Sequence, residues 1–209
     1  MTALKTAIIY YSSTGTNYQL AREAEQAALD TGAETRLRRV KELAPREAIA
    51  ANPAWLAHYD ETAGVVPEAG LEDLDWADVL IFSCPTRYGS IAAQMKQFLD
   101  ITGPLWSKGK LANKVVTAMT SAQNPHGGQE ATILSLYTTM FHWGALVVTP
   151  GYTDQAVFEA GGNPYGTSAT AAGDGEVEAP ILKAARHQTN RALAVAGWLQ
   201  QGRDAANGS

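Results

Sequence analysis

The sequence predicts an α/β protein built on an open, doubly wound, five-stranded parallel sheet with helices on both of its faces. Four short apolar runs rich in β-branched residues are typical of strands that are buried on both faces. These runs cover residues 6–11, 78–83, 114–120 and 145–149. Amphipathic helical patterns separate them, and this alternation of strands and helices favours a parallel sheet.

A fifth strand and four amphipathic helices complete the predicted architecture. Residues 34–40 alternate in polarity and carry three arginines, which indicates a half-exposed strand at the edge of the sheet. Apolar residues recur at helical spacing in four segments, the last of which covers about residues 178–200. The side chains predicted to face the core are Leu20, Ala21, Ala24, Ala27 and Ala28; Ile91, Ala92, Met95, Phe98 and Leu99; Ile133, Tyr137, Met140 and Phe141; and Ile181, Leu182, Ala185, Leu193, Ala196 and Leu199.

The domain organisation is predicted to be simple. Residues 1–200 of the 209-residue chain should form a single domain. Two stretches, about residues 41–77 and 155–177, are longer than ordinary connections, and we interpret them as insertions into this domain. Residues 201–209 are expected to form a disordered tail.

The composition argues against several classes of protein. With 45% apolar and 18% charged residues, the chain has the composition of an ordinary globular protein. Its net charge of −5, without any block of Lys or Arg, argues against binding to nucleic acid. The single cysteine, Cys84, excludes an internal disulfide and favours a cytoplasmic location. No apolar run approaches the roughly 20 residues of a membrane-spanning helix, and no metal site is predicted.

A polar segment stands between the first predicted strand and the first helix. Its residues are small and uncharged: Ser12, Ser13, Thr14, Gly15, Thr16 and Asn17. Ligands of doubly wound sheets bind beyond the carboxyl ends of strands, and a helix N-terminus attracts anions through its backbone N–H groups. Because the segment has no lysine for a transferable phosphate, it favours a phosphomonoester that is held without reacting, as in a mononucleotide such as FMN. A helix cap that binds no ligand is the alternative.

Two other functions of the same fold class do not fit the sequence. A phospho-accepting receiver domain needs acidic residues after the first strand and an aspartate after the third. This chain has Ser12, Ser13 and Cys84 at those places. A low-molecular-weight phosphatase needs an arginine in the loop that follows its cysteine, where this chain has Ser90.

Two further loops should face the same ligand as the polar segment. Residues 85–106 follow the third predicted strand and residues 120–130 follow the fourth, so both begin at the carboxyl edge of the sheet. They are rich in small side chains and accessible backbone amides, and they carry the aromatic residue Tyr88. Such loops suit a flat heteroaromatic ring, which needs amide partners at its edge and an aromatic or apolar wall.

Three long motifs resemble those of the WrbA-type flavoproteins, which are FMN-dependent NAD(P)H:quinone oxidoreductases. The motifs are PTRYGSIAAQMKQFLDITGPLW at residues 85–106, GGQEATILSLYTTMFHWG at 127–144 and GGNPYGTSATAAGDG at 161–175. The resemblance covers nearly the whole chain in the same order. It implies a flavodoxin-like fold with strand order 2-1-3-4-5.

The resemblance also implies the cofactor, the partners and the site. It implies FMN as cofactor, NADH or NADPH as electron donor, a small-molecule quinone as acceptor and a homotetrameric assembly. The FMN phosphate is then expected at residues 12–17. The residues expected to contact the flavin ring are Pro85, Thr86, Arg87, Tyr88, Gly89, Ser121, Ala122, Gln123, Asn124, Gly127 and His142. The substrate pocket is expected to include Trp106, His142 and Tyr88.

Two departures from the family pattern concern the same site. The family usually has an aromatic residue, implicated in nicotinamide binding, at the position of Thr14. We therefore expect altered nicotinamide affinity. The loop at residues 120–130 is one residue longer than is usual and contains Pro125, so the ring contacts are expected to differ as well.

The position of His142 has a geometric consequence. The fourth helix should begin near Gln129, beside the ligand, and run away from it. Thirteen residues at about 1.5 Å each place His142 roughly 20 Å from the site of its own chain. A His142 that contacts a flavin must therefore contact that of a neighbouring subunit. The alternative is a histidine that interacts favourably with a helix C-terminus and binds no ligand.

The favoured function is an enzyme in which the flavin carries the chemistry and no side chain is assigned a certain catalytic role. NAD(P)H and quinone would use one open flavin face in turn, which predicts ping-pong kinetics with two-electron transfer. Two alternatives remain: a flavodoxin-like one-electron carrier, and a flavin reductase acting on azo compounds, nitroaromatics or chromate.

Overall fold

The computed structural model describes residues 2–171 and 176–207 of the chain. The strands are β1 (Lys5–Tyr10), β2 (Glu34–Arg39), β3 (Val79–Arg87), β4 (Ser90–Ile91), β5 (Val115–Ala122), β6 (Leu146–Val147) and β7 (Ser168–Thr170). The helices are α1 (Thr16–Asp30), α2 (Arg46–Ala50), α3 (Pro53–Thr62), α4 (Leu71–Trp76), α5 (Ala93–Asp100), α6 (Gly103–Trp106), α7 (Gln129–His142), α8 (Gln155–Glu159) and α9 (Ala179–Asn207). No helix in these two ranges is long and apolar enough to cross a membrane.

The strands form one sheet whose central path is β2-β1-β3-β5-β6, with parallel pairing throughout. The prediction of a parallel α/β sheet is confirmed, but its count of five strands is wrong, because the sheet formed by residues 2–171 and 176–207 has seven. Strand β4 folds back antiparallel onto the end of β3, and β7 pairs with the last residues of β5. Both additional strands therefore extend the sheet at its carboxyl edge.

Alternate residues of the central strands point to opposite faces of the sheet, and each face has its own apolar core. On β1, Ala7 and Ile9 belong to the core that α5 and α7 cover. Ile8 and Tyr10, on the same strand, belong to the core that α1 and α9 cover. This two-sided burial is the reason why the strands are recognisable as continuous apolar runs.

Most of the side chains predicted to face the core are buried. Phe141 is an exception: its side chain is 63% exposed, so its predicted burial is wrong. Helical spacing locates an apolar stripe on α7, but it does not show that the same chain covers all of that stripe. Ile91 is buried as predicted but lies in β4, before α5 begins at Ala93.

The long segments that we interpret as insertions contain secondary structure. Residues 41–77 form α2, α3 and α4, and residues 155–177 include α8 and β7, although residues 172–175 lie outside the described ranges. The expected disordered tail is wrong for residues 201–207, which continue α9 without a break. Residues 208 and 209 are also outside the described part of the chain.

Two of the three arginines of the edge strand β2 bond to helix α4. Arg36 and Arg38 both donate to Oδ1 of the buried Asp73 on α4, each at 3.1 Å. The guanidinium of Arg36 also lies 4.1 Å from the ring centre of Trp76, a cation–π contact. These contacts close the exposed edge of β2 with charged groups, which disfavours pairing with another chain.

One buried amide joins the second long segment to the sheet. Nε2 of Gln188 on α9 donates to Thr117 Oγ1 at 2.7 Å and to the carbonyl of Ala118 at 2.8 Å. Its Oε1 accepts from the N–H and the hydroxyl of Thr167, at 2.7 and 2.8 Å. All four hydrogen-bonding positions of the amide are thus used, and this fixes the segment that leads into β7.

Replacing Gln188 by Leu should lower the free energy of unfolding by about 2–4 kcal/mol, because several buried polar groups lose their partners. Urea unfolding measures the effect. The matched control is Gln200→Leu on the same helix, where the amide bonds Thr2 at the surface and the expected change is below about 0.5 kcal/mol. Equal effects of the two substitutions would contradict the assigned role of Gln188.

Candidate cofactor-binding site

Helix α1 begins at the carboxyl end of β1 without a side-chain cap. Its N-cap residue is Gly15, with φ of +100°, and the described part of the chain supplies no side-chain cap hydrogen bond there. The N–H of Gly15 donates to Ser12 Oγ at 3.0 Å, which curls the preceding segment back on itself. Since the first N–H groups of a helix have no partner within the helix, they are available to an anion, and the helix dipole favours one.

The buried hydroxyl of Thr16, at the first turn of α1, has no hydrogen-bond partner in the described chain. Thr16 is 3% exposed. A buried hydroxyl without a partner costs free energy, about 1–3 kcal/mol. A phosphate oxygen bound at the first turn of α1 would supply the missing partner. The turn therefore fits a phosphate group better than it fits a ligand-free cap.

The last residue of the polar segment has a structural role. Asn17 Nδ2 donates to Ser83 Oγ at 3.1 Å, and Ser83 Oγ donates to the backbone carbonyl of Asn17 at 2.9 Å. Ser121 Oγ donates to Asn17 Oδ1 at 2.5 Å. All three residues are buried. The side chains of Asn17 and Ser121, expected at the cofactor, are thus engaged with the strand ends, and the ligand would meet their backbone.

The segment after the third apolar run is a tight hairpin. Pro85, Thr86 and Arg87 continue β3, which is therefore longer than its predicted end at residue 83. Tyr88 and Gly89 form the turn with φ of +53° and +75°, and β4 follows. The Tyr88 side chain is fully exposed, and a bulky residue with positive φ is strained. The hairpin thus holds an aromatic ring out from the carboxyl edge at a cost in stability.

The hairpin is fastened to the start of α7. Thr86 Oγ1 donates to the carbonyl of Gly127 at 3.2 Å, and Thr132 Oγ1 lies 2.8 Å from Thr86 Oγ1. Gly128 caps α7 with φ of +85°, and a Cβ added there would lie 2.6 Å from the Cα of Gly89. Only a glycine allows this approach. The hairpin and the loop after β5 therefore form one unit.

The loop after β5 is compact and exposed. Asn124 organises it: its Oδ1 accepts from the N–H of His126 at 2.9 Å, and its carbonyl accepts from Gly127 N–H and Gln129 Nε2. Ala122 ends β5 and is buried, whereas Gln123 is exposed. The predicted ring contacts from this loop thus lie beside the hairpin, where backbone groups of both can reach one flat ligand.

A half-buried carboxylate, which sequence reasoning missed, supports the site from the first long segment. Glu42 precedes α2, and its two oxygens accept hydrogen bonds from several elements. Its donors are Tyr11 Oη, Trp55 Nε1, Gln94 Nε2 and the N–H groups of Leu43 and Ala44. No motif in the sequence signals this role, since the donors come from four separate parts of the chain.

A chain of hydrogen bonds leads from Glu42 to the hairpin. Tyr11 Oη donates to Glu42 at 3.0 Å, Ser13 Oγ lies 3.3 Å from Tyr11 Oη, and Arg87 Nη2 donates to Ser13 Oγ at 2.8 Å. Burial raises the pKa of Tyr11 well above its ordinary value, so the phenol remains a donor. The polar segment and the hairpin are thereby joined through Arg87.

Two predicted pocket residues lie at the far end of α7. Trp106 Nε1 donates to the backbone carbonyl of His142 at 2.9 Å, so the two residues are neighbours. His142 ends α7, whose first residue Gln129 adjoins the site, and the helix length separates these ends by roughly 20 Å. The expectation that Trp106 lies on a loop near the flavin side of its own chain is therefore wrong. Trp106 shares the location of His142.

The remaining reactive groups do not add chemistry here. Cys84 is fully buried beneath the hairpin, and burial raises the pKa of its thiol to about 12. Within residues 2–171 and 176–207, no group of three His, Cys, Asp or Glu side chains could hold a metal ion. The uncapped helix, the unpartnered hydroxyl of Thr16 and the two joined loops fit FMN, a phosphomonoester with a flat ring.

Comparisons with known proteins agree with this geometry. The family model described as NADPH-dependent FMN reductase matches residues 4–156. A protein of Deinococcus radiodurans named NAD(P)H dehydrogenase (quinone) is 50% identical over 204 residues, covering 95% of this chain and 99% of the relative. One of the same name from Aromatoleum aromaticum is 40% identical over 209 residues, covering 97% and 100%.

A solved structure supports the fold. The flavodoxin, WrbA-like protein from Agrobacterium tumefaciens superposes with a TM-score of 0.68 at 22% identity, covering 94% of this chain and 99% of its own. The family match spans well over half of the sequence, and the named relatives span nearly all of it. The chain therefore belongs to the NADPH-dependent FMN reductase family, together with the relatives named NAD(P)H dehydrogenase (quinone), and shares the fold of the WrbA-like structure.

Proposed function

We propose that this protein is an FMN-dependent oxidoreductase that transfers electrons from NADH or NADPH to quinones. Its relatives named NAD(P)H dehydrogenase (quinone) support this at 40–50% identity over nearly the whole chain. The structural observation that carries the proposal is the uncapped first turn of α1 with its buried, unpartnered Thr16 hydroxyl. When bound, FMN supplies the two-electron chemistry between nicotinamide and quinone.

The polar segment holds the cofactor by its phosphate. Backbone N–H groups at the start of α1 donate to the phosphate oxygens, and the hydroxyl of Thr16 donates beside them. The segment has no lysine or arginine of its own. Neutral donors suit a phosphate that serves as an anchor throughout the reaction and is never transferred.

The hairpin and the loop after β5 hold the ring. Their exposed backbone groups bond the polar edge of the ring, and the Thr86 hydroxyl fixes one loop relative to the other. Arg87 of the hairpin donates to Ser13 of the polar segment and so joins the two parts of the site. The exposed Tyr88 forms one wall of the space above the ring, where the substrates bind.

Both substrates use this one space. A reduced nicotinamide and a quinone are flat rings that need the same open face, so the enzyme binds them in turn and follows ping-pong kinetics. Initial rates at several fixed quinone concentrations should give parallel double-reciprocal lines.

We propose that the enzyme acts in the cytoplasm. The buried free thiol of Cys84 is compatible with that reducing compartment.

The test of the function is direct. The purified full-length chain should carry or take up FMN and oxidise NADH or NADPH when benzoquinone is present. Protein that binds no FMN contradicts the whole proposal. Flavin reduction by nicotinamide without turnover of benzoquinone indicates azo compounds, nitroaromatics or chromate as acceptors. Failure of both nicotinamides to reduce the bound flavin indicates a one-electron carrier.

Exposed apolar side chains along α7 support a proposal of a homotetramer with shared sites. Leu134 and Phe141 lie on one outer face of this helix and are exposed, as is Trp106 beside its end. An apolar stripe that its own chain leaves open is typical of a subunit interface. We propose that this interface places His142 and Trp106 of one subunit at the substrate space of its neighbour.

The first prediction for this site concerns the phosphate. Thr16→Val keeps the shape of the side chain and removes the unpartnered hydroxyl. FMN should bind about tenfold more weakly, whereas riboflavin, which lacks the phosphate, should bind as before. The stability of the FMN-free protein should stay the same or rise by up to about 1 kcal/mol. Fluorescence titration and urea unfolding measure these effects, with Thr35→Val on β2 as the control.

The second prediction concerns the strained aromatic residue. Tyr88→Gly should stabilise the hairpin by up to about 1 kcal/mol, because glycine adopts positive φ without strain. The KM for quinone should rise severalfold as the wall is lost, and Tyr88→Phe should retain the wild-type KM. Steady-state kinetics with benzoquinone measure the KM of both variants and of the wild type. An unchanged KM in Tyr88→Gly would show that Tyr88 does not contact the quinone.

The third prediction tests the shared site by complementation. Gly15→Val should abolish FMN binding, because valine does not adopt a φ of +100°, and His142→Ala should impair substrate use. Co-expressed, the two variants should form hybrid tetramers in which some sites combine intact halves, so activity should return in part. Co-expressing Gly15→Val with the double variant Gly15→Val/His142→Ala, in which no subunit binds FMN, should give no return. Hybrids without recovered activity would contradict sites shared between subunits.

A further inference from the structure

A histidine from the first long segment lies against the start of α1. His58 belongs to α3, is 7% exposed and packs its ring beside Tyr18, with 5.5 Å between ring centres and 50° between planes. A Cβ added to Gly15 would lie 3.7 Å from Nδ1 of His58. This ring nitrogen therefore faces the uncapped first turn of α1, where the phosphate is proposed to bind.

The ring of His58 has no hydrogen-bond partner of its own. Within the described ranges neither ring nitrogen forms a hydrogen bond, and only the backbone carbonyl of His58 is engaged, by Thr62 Oγ1 at 2.8 Å. The same turn of α1 also holds the unpartnered hydroxyl of Thr16. Two unpartnered polar groups on separate elements thus adjoin one anion-binding helix start.

We infer that His58 donates a hydrogen bond from Nδ1 to the phosphate of bound FMN, so that α3 forms the outer wall of the phosphate site. The inference rests on the proposed function, in which FMN is the cofactor. It assigns a binding role to a residue that lies more than forty positions after the polar segment and outside the three family motifs.

The surroundings of His58 suit a neutral donor. Burial lowers the pKa of its ring, and the nearby charge of Glu61 opposes this with a smaller effect. A neutral imidazole donates from one nitrogen only, and a phosphate oxygen beside Nδ1 selects that tautomer. Ser12, from the polar segment, lines the same small cavity as His58, together with Tyr59 and Thr62 of α3.

The experiment compares two ligands that differ only in the phosphate. His58→Phe keeps an aromatic ring to pack on Tyr18 but removes both nitrogens. In fluorescence titrations of flavin-free, full-length protein, FMN should bind roughly 10- to 100-fold more weakly to this variant, whereas riboflavin should bind equally to variant and wild type. An equal loss for both flavins, or a loss for neither, would overturn the inference.

Two further variants locate the donor on the ring. The amide nitrogen of Asn can occupy the place of Nδ1, and that of Gln the place of Nε2. His58→Asn should therefore restore most of the FMN affinity, and His58→Gln should not. Restoration by Gln alone would assign the donor to Nε2 and overturn the assignment of Nδ1.

NMR of the histidine rings in the wild-type protein tests the role of His58 without any substitution. The protein contains four histidines, so ¹⁵N-labelled imidazole resonances can be followed individually. FMN should shift one buried ring to a hydrogen-bonded Nδ1 donor, and riboflavin should not. Wild-type protein that binds neither flavin contradicts the proposed function, whereas FMN binding without this shift contradicts the role of His58 alone.

Discussion

The site depends on one buried side-chain amide. Asn17 joins the start of α1 to Ser83 in the middle of β3 and to Ser121 near the end of β5. All three residues are buried, so a partner lost here leaves a polar group without water or protein to bond it. The turn that would hold the phosphate therefore cannot move independently of the two strands whose loops would hold the ring. The distance between the phosphate-binding turn and the ring-binding loops would therefore be set by the sheet.

Several features around Asn17 lower the stability of the ligand-free protein. Tyr88 occupies a strained conformation, Thr16 has a buried hydroxyl without a partner, and Gly128 approaches Gly89 closely. None of these features stabilises the ligand-free chain, and all lie at the same edge of the sheet. The two apolar cores and the saturated amide of Gln188 compensate for them elsewhere. A strained residue and an unpartnered group close together at one edge are typical of a preorganised binding site.

The parts of the fold that were predictable from the sequence are those with a local signature. A strand buried on both faces is recognisable as an apolar run. A hydroxyl-rich turn before a helix predicts an anion site, and for this chain that site stays a prediction. The short strands β4 and β7 form only through pairing with β3 and β5, so no pattern of apolar residues in the sequence predicts them. Glu42 was missed for a related reason: most of the groups that donate to it are distant in sequence. Phe141 shows a third limit, since periodicity identifies an apolar face without showing what covers it.

Helix α7 joins these observations into one constraint. Its first turn is fixed to the hairpin through Thr132 and Gly128, and its last carbonyl, that of His142, accepts a hydrogen bond from Trp106 Nε1. A helix of 14 residues is rigid over its roughly 20 Å, so the positions of its two ends cannot be adjusted separately. In the tetramer that we propose, each α7 therefore supports the ring site of its own subunit with one end and carries His142 to a neighbouring site with the other. Assembly and substrate binding would then be set by the same element, because any shift that opens one site displaces the wall of the next.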